Sequence, residues 1–343
     1  MKALVLESKN IVTLRDFPIV ESMGPHDVTI NIRACGICGS DVHYYKEGAI
    51  GEFIVTQPMI LGHEAAGVIV AKGDKVTDLE IGDLVCMEPG VPNLSAKEVL
   101  EGSYNLDKDI VFWATPPVHG CLREQVVHPA RFCFKLPLGV SAAEGAMVEP
   151  LATGIEAVKK ARVQPGDTAL VIGAGTIGIM VALSALAAGC SKVYISDIKQ
   201  QKLAIAALYK NIIPIDSSKE DLLTSILEHT NGLGVDTIFE ASGSPHVYPS
   251  FFACAKRAAT VVLVGMMNGT VPLDVALLQV RGLRIETVFR YTNTFDRAVS
   301  LIANGLIDVK PLISKVFPFE QSVEAYEYAA QGHLDVVKVM IEF

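Results

Sequence analysis

From position 168 onward, short apolar runs alternate with amphipathic segments along the chain. The run Thr168–Ile172 is almost wholly apolar, which is typical of a strand covered on both faces. Similar runs predict strands at Lys192–Ser196, Ile212–Ile215, Val235–Glu240, Thr260–Val264 and Leu283–Phe289. Between them, apolar positions three or four residues apart predict helices at Ile177–Ala188, Gln200–Tyr209 and Glu220–Thr230. This alternation indicates an α/β fold with a doubly wound parallel sheet.

The first 140 residues follow a different, β-rich pattern. Short β-prone runs such as Val28–Ile32 and Gly67–Ala71 are separated by Gly, Pro and Asp residues, which favour turns. The segment Ser141-Ala-Ala-Glu144 predicts a capping box that opens a helix, and Pro150 predicts its end. After Arg290 the pattern is irregular again, with a helix predicted near Thr294–Ala303. A β-rich part therefore precedes the α/β part, and a part with an irregular pattern follows it.

One uncharged stretch allows two interpretations. The 24 residues from Thr168 to Ser191 carry no charge and are long enough to span a bilayer. Four glycines fall within the stretch, and they favour a buried strand, turn and helix instead. The N-terminus becomes charged at Glu7 and Lys9, too early for the apolar core of a signal peptide. We therefore expect a soluble, cytoplasmic protein.

Composition excludes several classes of function. A length of 343 residues suggests two domains, and 50% apolar with 20% charged residues is typical of ordered globular proteins. The net charge is −9 and no basic run occurs, which argues against nucleic acid and anionic membranes as partners. Seven cysteines, an odd number in a long chain, argue against a disulfide-stapled scaffold. The count does not show which of these cysteines take part in chemistry, so their spacing in the sequence has to indicate it.

The clearest motif is a glycine loop between an apolar strand and a helix, Gly173-Ala-Gly175-Thr-Ile-Gly178. Such a loop lets the backbone approach a pyrophosphate, and the amide groups at the helix N-terminus bind its charge. Asp197 ends the next predicted strand, where a carboxylate accepts hydrogen bonds from a ribose hydroxyl and repels a 2′-phosphate. The motif predicts dinucleotide binding with NAD preferred over NADP. Lys202 lies nearby, and its positive charge would allow the site to accept the 2′-phosphate of NADP in part.

A second constellation offers metal ligands from three separate segments. Cys35-Gly-Ile-Cys38 is either a redox pair or part of a zinc site, and no second such pair follows. His63-Glu64 places two ligand types side by side, and Glu149 is an acid among apolar residues. Each alone is more often a buried thiol, a core histidine or a solvated acid. Together they form the ligand set of a catalytic zinc with one open position.

Charge limits how these ligands are used. Zn²⁺ with one thiolate, one carboxylate and a neutral imidazole has no net charge. A second carboxylate ligand would give the site a net negative charge. Either Glu64 or Glu149 is therefore expected to act through a bound water. Which of them ligates directly stays open at this stage.

The chain resembles the zinc-dependent medium-chain dehydrogenases, and within them the sorbitol/xylitol (polyol) dehydrogenases. The matching segments span nearly the whole chain: Gly36–Tyr45, Leu61–Glu64, Ala114–Pro117, Glu149–Leu151, Gly173–Gly178 and Val288–Tyr291. The resemblance implies a GroES-like β-rich catalytic domain, residues 1–151 with 290–343, that carries zinc and substrate. It implies an NAD-binding Rossmann domain at residues 152–289. The activity implied is that of an L-iditol 2-dehydrogenase or D-xylulose reductase.

The resemblance also assigns roles to single residues. Cys38, His63 and Glu64 would hold zinc with a water as fourth ligand and Glu149 beside it, and Cys35 would be a bystander. Ser40 and His43 match the positions of a proton relay. Positions that match the substrate pocket are Tyr44, Phe112, Arg290 and Tyr291. For NAD, besides the glycine loop, Asp197 and Lys202, we assign Ile177, Val264, Gly265, Met266, Val288, Phe289 and Arg290.

The chain departs from many relatives at one loop. These relatives bind a second, structural zinc through four cysteines, but the corresponding loop here, roughly Pro92–Asp107, contains no cysteine. The ligand positions are occupied by Asn93, Ala96, Val99 and Asp107. A structural site requires a closed set of ligands. We expect one catalytic zinc per chain and no structural zinc.

These parts predict oxidation of a polyol hydroxyl at C2 to a 2-ketose, with hydride transfer to NAD. Alternative interpretations place Ser40 as a turn hydroxyl, His43 on the surface and Arg290 in a structural ion pair. The alternative enzymes are zinc dehydrogenases of another secondary alcohol, such as butanediol, threonine or a sugar phosphate. The non-catalytic alternative is a crystallin-like nucleotide-binding relative, against which the intact ligand set argues.

Subunit assembly is a separate expectation. Leu283–Phe289 and Val261–Met267 are candidate edges for subunit pairing, so a homodimer or homotetramer is expected.

Overall fold

The computed structural model describes residues 1–267 and 269–343. The strands of the first 140 residues are β1 Lys2–Ser8, β2 Ile11–Asp16, β3 Asp27–Gly36, β4 Ala49–Ile50, β5 Phe53–Ile54, β6 Met59–Ile60, β7 Glu64–Lys72, β8 Leu84–Met87, β9 Gly90–Val91, β10 Val111–Phe112, β11 Gln125–Pro129 and β12 Cys133–Lys135. The later strands are β13 Thr168–Ile172, β14 Lys192–Asp197, β15 Ile212–Asp216, β16 Val235–Glu240, β17 Ala255–Leu263, β18 Arg284–Thr287, β19 Ile313–Pro318 and β20 Lys338–Glu342.

The helices are fewer before residue 140 than after it. They are α1 Gly39–Glu47, α2 Lys97–Leu100, α3 Ala142–Ala146, α4 Val148–Ala161, α5 Thr176–Ala187, α6 Gln200–Ala206, α7 Leu222–His229, α8 Val275–Arg281, α9 Phe295–Ala303 and α10 Ser322–Gln331. Within the described residues, no helix combines the length and apolar character needed to cross a membrane. The uncharged stretch from Thr168 forms β13, the glycine loop and α5 instead.

The chain forms two compact units. The first comprises Met1–Glu149 and Phe295–Phe343, and the second comprises Pro150–Thr294. The first unit is built on a seven-stranded sheet in the order β12-β8-β7-β3-β20-β19, with β11 also paired to β3. Strand β20 lies antiparallel to β3 in this sheet, so the C-terminal strand sits beside the strand that leads into Cys38. The core is apolar, with Leu4, Ile30 and Ile69 fully buried.

The second unit is a parallel sheet in the order β15-β14-β13-β16-β17-β18. Every neighbouring pair in it is parallel. The strand residues Leu170, Val171 and Phe239 are fully buried, as expected when helices cover both faces. The strand order reverses between β14 and β16 on either side of β13, which is the switch point where such sheets bind ligands. The predicted α/β class is confirmed.

The predicted helix around residue 145 differs from the observed one. The Ser141–Glu144 capping box is present, but α3 ends at Ala146 and a second helix, α4, begins at Val148. Pro150 therefore lies in the first turn of a helix and does not end one. Proline is tolerated there because the first backbone N–H groups of a helix have no acceptor within the helix.

Candidate metal centre and cofactor site

Three side chains of the first unit form a compact group of metal-binding type. One ligand atom from each of Cys38, His63 and Glu64 lies within 4.8 Å of the other two. Cys38 is the N-cap residue of α1, and Glu64 begins β7. His63 is 7% exposed and Glu64 is 1% exposed. Of the described residues, these three alone form such a group, and a thiolate, an imidazole and a carboxylate fit the preferences of zinc.

Asp41 contacts the segments that carry these ligands and orients His63. It is fully buried on α1 and its Oδ1 lies 3.5 Å from Nδ1 of His63. The same carboxylate accepts the backbone N–H groups of Cys38 and Gly62, each at 3.2 Å. A carboxylate behind a histidine ligand fixes the orientation of the ring and raises its basicity. Asp41 thus ties the segments that carry Cys38 and His63 to one anchor.

The electrostatics of His63 suit a cation at this position. Burial by itself lowers the pKa of His63, but Asp41 and Cys38 outweigh it and raise the pKa well above 6.5. Asp41 and Cys38 therefore favour a positive charge, either a proton or a metal ion, at the imidazole of His63. A bound metal ion replaces a proton at such a nitrogen.

Glu64 has a buried cation as its partner. Nζ of Lys338 donates to Oε1 and Oε2 of Glu64 at 2.7 and 2.6 Å. Glu149 lies outside the group of three ligands, in the first turn of α4, and is 8% exposed. Burial lowers the pKa of Lys338, but the charges of Glu64, Cys38 and Glu149 raise it overall. Glu149 thus contributes to the charge of the region without joining the group.

The two proposed relay residues and one of the pocket residues share one helix. Ser40, His43 and Tyr44 lie on α1, and residues three or four apart face the same side of a helix. Ser40 and His43 are half-buried, whereas Tyr44 is 4% exposed. Phe112 ends β10, and its ring centroid lies 6.0 Å from that of His63. These four residues therefore belong to the same unit as the three ligands.

Cys35 is set apart from the ligand group. It is fully buried, and its Sγ lies 3.7 Å from Sγ of Cys121. Burial, followed by the interaction with Cys121, raises the pKa of the Cys35 thiol well above 9.0. A protonated, inaccessible thiol is a poor ligand and a poor nucleophile.

In the second unit, the glycine loop joins β13 to α5. Gly173 has a φ of 99°, which favours glycine, and Gly175 is the N-cap of α5. A Cβ at Gly178 would collide with the carbonyl oxygen of Gly173, so helix and strand approach closely only with glycine there. Ile177 follows in the first turn and is half-buried. The loop is shaped as a phosphate cradle requires.

Asp197 ends β14, beside the loop. Its Oδ2 accepts the N–H of Ala174 at 2.7 Å, and its Oδ1 accepts the N–H of Lys199 at 2.8 Å. The carboxylate therefore holds the glycine loop in addition to facing the ligand side of the sheet. Each oxygen retains a second lone pair for a ribose hydroxyl. Lys202 lies half-buried on α6, one turn beyond.

The other assigned cofactor residues follow the next two strands. The N–H groups of Val264 and Gly265 both bind the carbonyl oxygen of Glu240 at 2.8 Å, which places them level with the end of β16. The N–H of Val288 binds the carbonyl oxygen of Leu263 at 3.0 Å. Met266 is 66% exposed and Phe289 is 36% exposed, which leaves their side chains accessible. These positions lie at the carboxyl edge of the sheet, where ligands bind.

The strand predicted at Leu283–Phe289 would end directly before Arg290 and Tyr291, but the observed strand ends earlier. Strand β18 ends at Thr287, and Arg290 has a φ of 57°, a conformation that extended strands lack. The guanidinium of Arg290 lies 4.8 Å from the ring centroid of Phe289. Hydrogen bonds from α4 hold the segment that follows. Nζ of Lys159 donates to O and Oγ1 of Thr292 at 3.0 and 2.8 Å.

The loop without cysteines is held by hydrogen bonds. Two of the four positions that correspond to zinc ligands contact each other, since Oδ2 of Asp107 accepts the N–H of Asn93 at 2.6 Å. Oδ1 of Asp107 accepts the N–H of Asp109 at 3.0 Å. Tyr104 donates to Oε1 of Glu88 at 2.6 Å and fastens the loop to the end of β8. Burial, and then the charges of Glu149 and Asp296, raise the pKa of Glu88 to about 7.

Glu88→Gln is expected to stabilise the protein more at pH 8 than at pH 5. A carboxyl whose folded pKa exceeds its unfolded value favours folding below the unfolded pKa, and this contribution is lost progressively as pH rises from about 4.5 to about 7. The loss approaches about 3 kcal/mol, of which Gln should recover about 1–2 kcal/mol while accepting the Tyr104 hydroxyl. Urea unfolding at both pH values measures the difference.

The matched control is Glu101→Gln, an acid in the same loop whose contact with Lys97 is exposed. Its effect should stay below about 0.5 kcal/mol at either pH. Equal effects of Glu88→Gln at pH 5 and pH 8 would show that Glu88 is ionised throughout this range.

Sequence reasoning missed Asp41, Lys338 and Gly36. Asp41 carried a local signal, since an acid three residues after an N-cap is a capping-box position. Lys338 carried a weaker one, as a charge within the apolar run from Val336 to Ile341. Nothing in the sequence linked it to Glu64, because the two are 274 positions apart. Gly36 had no signal, since what matters there is that a Cβ would collide with Oε2 of Glu64 on the neighbouring strand.

Two family models match the chain. The alcohol dehydrogenase GroES-like domain matches residues 24–138, and the zinc-binding dehydrogenase domain matches residues 176–304. A D-xylulose reductase of Morganella morganii is 49% identical over 332 residues, which cover 96% of this chain and 98% of the relative. The sorbitol dehydrogenase of Rattus norvegicus is 40% identical over 343 residues, with 99% and 95% covered. An oxidoreductase/dehydrogenase of unknown specificity from Escherichia coli has a similar structure, with a TM-score of 0.93 at 31% identity, covering 99% and 98%.

Proposed function

This chain belongs to the zinc-binding dehydrogenase family, and on that premise we propose that it oxidises the C2 hydroxyl of a polyol such as xylitol or sorbitol to the 2-ketose, with NAD as hydride acceptor. The observation that carries the proposal is the group of Cys38, His63 and Glu64, in which Cys38 is half-buried and the other two side chains are buried. Relatives named for D-xylulose and sorbitol, similar along nearly their whole length, support the substrate class.

Cys38, His63 and Glu64 would hold zinc, with Glu149 beside them. Zinc held there would supply a Lewis acid, which makes an alcohol hydroxyl easier to deprotonate near neutral pH. Asp41 would keep His63 in the ligating orientation. The fit rests on the donor types, on their separation within 4.8 Å and on the burial of His63 and Glu64.

Ser40 and His43 would carry the proton away from the substrate. Ser40 would accept it from the hydroxyl, and His43, on the same face of α1, would pass it outward. Tyr44 and Phe112 would bound the substrate within the first unit. Arg290 and Tyr291 would bind its other hydroxyl groups, held in place by the contacts between Lys159 and Thr292.

NAD would bind at the carboxyl edge of the parallel sheet. The amide groups around Gly173–Gly178 would bind the pyrophosphate, and Asp197 would bind the adenosine ribose. Ile177, Lys202, Val264, Gly265, Met266, Val288, Phe289 and Arg290 complete the proposed cofactor contacts. A residual use of NADP is compatible with Lys202.

The direct test follows NADH absorbance with a panel of polyols, diols and amino alcohols, with and without a chelator. Chelator-sensitive oxidation of xylitol or sorbitol, at a kcat/KM above that for butanediol and threonine, is the expected result. Turnover of none of these substrates by protein that contains zinc would contradict a dehydrogenase of this type.

We expect one zinc per chain. The three-residue group supplies one site, whereas the loop from Pro92 to Asp107 offers hydrogen bonds in place of four thiolates. Elemental analysis of the purified protein measures the ratio directly. A ratio of two zinc ions per chain after dialysis would contradict this expectation.

A homodimer or homotetramer is the proposed assembly. Strand β18 lies at the end of the sheet order and pairs with β17 on one side. Apolar side chains are exposed around it, including Val275 at 58%, Val280 at 68% and Ile285 at 36%. An unpaired edge with apolar surroundings is suited to pairing with another chain. Light scattering during gel filtration gives the mass, and a monomer at micromolar concentration would contradict the proposal.

The cytoplasm is the proposed compartment. All seven cysteines are free thiols, including Cys35 and Cys121 at 3.7 Å. Neighbouring free thiols persist in a reducing environment. Fractionation of the source cells, with NADH formation as the readout, tests this directly.

A further inference from the structure

Lys338 is a buried charge that the proposed reaction leaves without a task. Its side chain is 2% exposed and that of Glu64 is 1% exposed. Besides both oxygens of Glu64, its Nζ contacts the carbonyl oxygen of Ile37 at 3.2 Å. The three N–H donors of the ammonium group therefore each have an acceptor. A buried cation satisfied in this way stays charged and in place.

The sheet brings Lys338 to Glu64 across the intervening strand. Gly36 on β3 pairs with Glu64 of β7 on one side and with Met340 of β20 on the other. A Cβ on Gly36 would collide with Oε2 of Glu64. The absent side chain at Gly36 thus opens a passage through which the carboxylate reaches Lys338. The contact is built into the register of three strands and does not result from a flexible side chain.

This contact changes the charge of the site. Zinc contributes two positive charges, and the Cys38 thiolate, Glu64 and Glu149 contribute one negative charge each. Counted without Asp41, which lies behind His63, these groups and a neutral His63 carry one excess negative charge, which Lys338 cancels. Both carboxylates can then remain ionised near the metal without removing its attraction for a substrate oxygen.

We infer that Lys338 is a positioning residue that sets the charge of the zinc site, by holding Glu64 through the passage at Gly36. The inference rests on the proposed function, since it presumes zinc at Cys38, His63 and Glu64. Lys338 also occupies lone pairs of Glu64 and repels the metal ion. It therefore weakens zinc binding and strengthens the polarisation of the substrate.

The experiment compares wild type with Lys338→Met and Lys338→Arg. Zinc affinity is measured by competition with a chelator of known affinity, and the cobalt(II) form is examined by visible absorption. Lys338→Met should bind zinc about tenfold more tightly, because an excess negative charge remains, and its kcat should fall about tenfold. The cobalt bands should shift as Glu64 becomes a stronger ligand. Lys338→Arg keeps the charge and should stay within about threefold of wild type in zinc affinity.

A purely structural role gives the opposite sign. Loss of a residue that supports a metal ligand ordinarily weakens metal binding by about 10–100-fold. Weaker or unchanged zinc binding in folded Lys338→Met would overturn the inference. If Lys338→Met fails to fold, Lys338→Gln removes the charge while its amide can still donate to Glu64. It should also bind zinc more tightly than wild type, and weaker or unchanged zinc binding would count against the charge argument.

Failure of the proposed function gives a different pattern. In that case wild-type protein holds no zinc, or holds it without Cys38. If wild type contains one zinc and oxidises a polyol while Lys338→Met binds zinc more weakly, the inference alone is wrong.

Discussion

Cys38→Ser is expected to lower kcat/KM for polyol oxidation by at least about a thousandfold, equivalent to about 4 kcal/mol of transition-state stabilisation. Cys38 supplies the thiolate among the three clustered ligands. A serine hydroxyl remains protonated at neutral pH and is a weaker zinc ligand, so the metal should be lost with the activity. Elemental analysis and the rate of NADH formation measure the two losses together.

Cys35→Ser is the matched control for this change. It substitutes the other cysteine of the same Cys-x-x-Cys segment, whose thiol faces Cys121 at 3.7 Å. A buried hydroxyl there should cost about 1–2 kcal/mol of stability, but one zinc per chain and most of the activity should remain. Full activity and full zinc content in Cys38→Ser would overturn the ligand assignment. Equal losses in both variants would indicate disruption of the fold.

Asp197→Ala is expected to lower kcat/KM for NAD by about a hundredfold and to change that for NADP by less than about threefold. The carboxylate would accept ribose hydroxyl groups, and charged hydrogen bonds of this kind contribute about 1.5–3 kcal/mol each. It also anchors Ala174 of the glycine loop at 2.7 Å, so part of the loss should appear with both cofactors. Removing the negative charge offsets that loss for NADP alone. Initial rates with each cofactor at saturating polyol give both values.

Asp216→Asn provides the control for this prediction. Asp216 is the register neighbour of Asp197 on β15, and its carboxylate is bound to Lys219 and Ser218. Its substitution should alter kcat/KM for NAD by less than about fivefold. An unchanged preference for NAD in Asp197→Ala would place the determinant elsewhere on the sheet edge.

The local parts of the fold followed from local patterns. The apolar run at Thr168–Ile172 and the glycines after it predict a strand, a turn and a helix, and these form β13 and α5. The turn and the start of the helix in such a unit depend on residues within a few positions along the chain. Pro150 shows the limit of this reasoning, because proline disfavours a helix interior but not a first turn. Its consequence depends on where the helix begins, which neighbouring packing decides.

By itself, the sequence determined which residues have the chemistry for zinc and a dinucleotide. The residue types at Cys38, His63 and Glu64 and the spacing of Gly173, Gly175 and Gly178 carry that chemistry wherever the chain places them. Only the tertiary structure decided which cation neutralises the negative charge of Glu64. Lys338 reaches it because β3 lies between β7 and β20 in a fixed register, with glycine at the crossing point. Strand registers across hundreds of residues are set by packing of the whole sheet, so no local spacing encodes them.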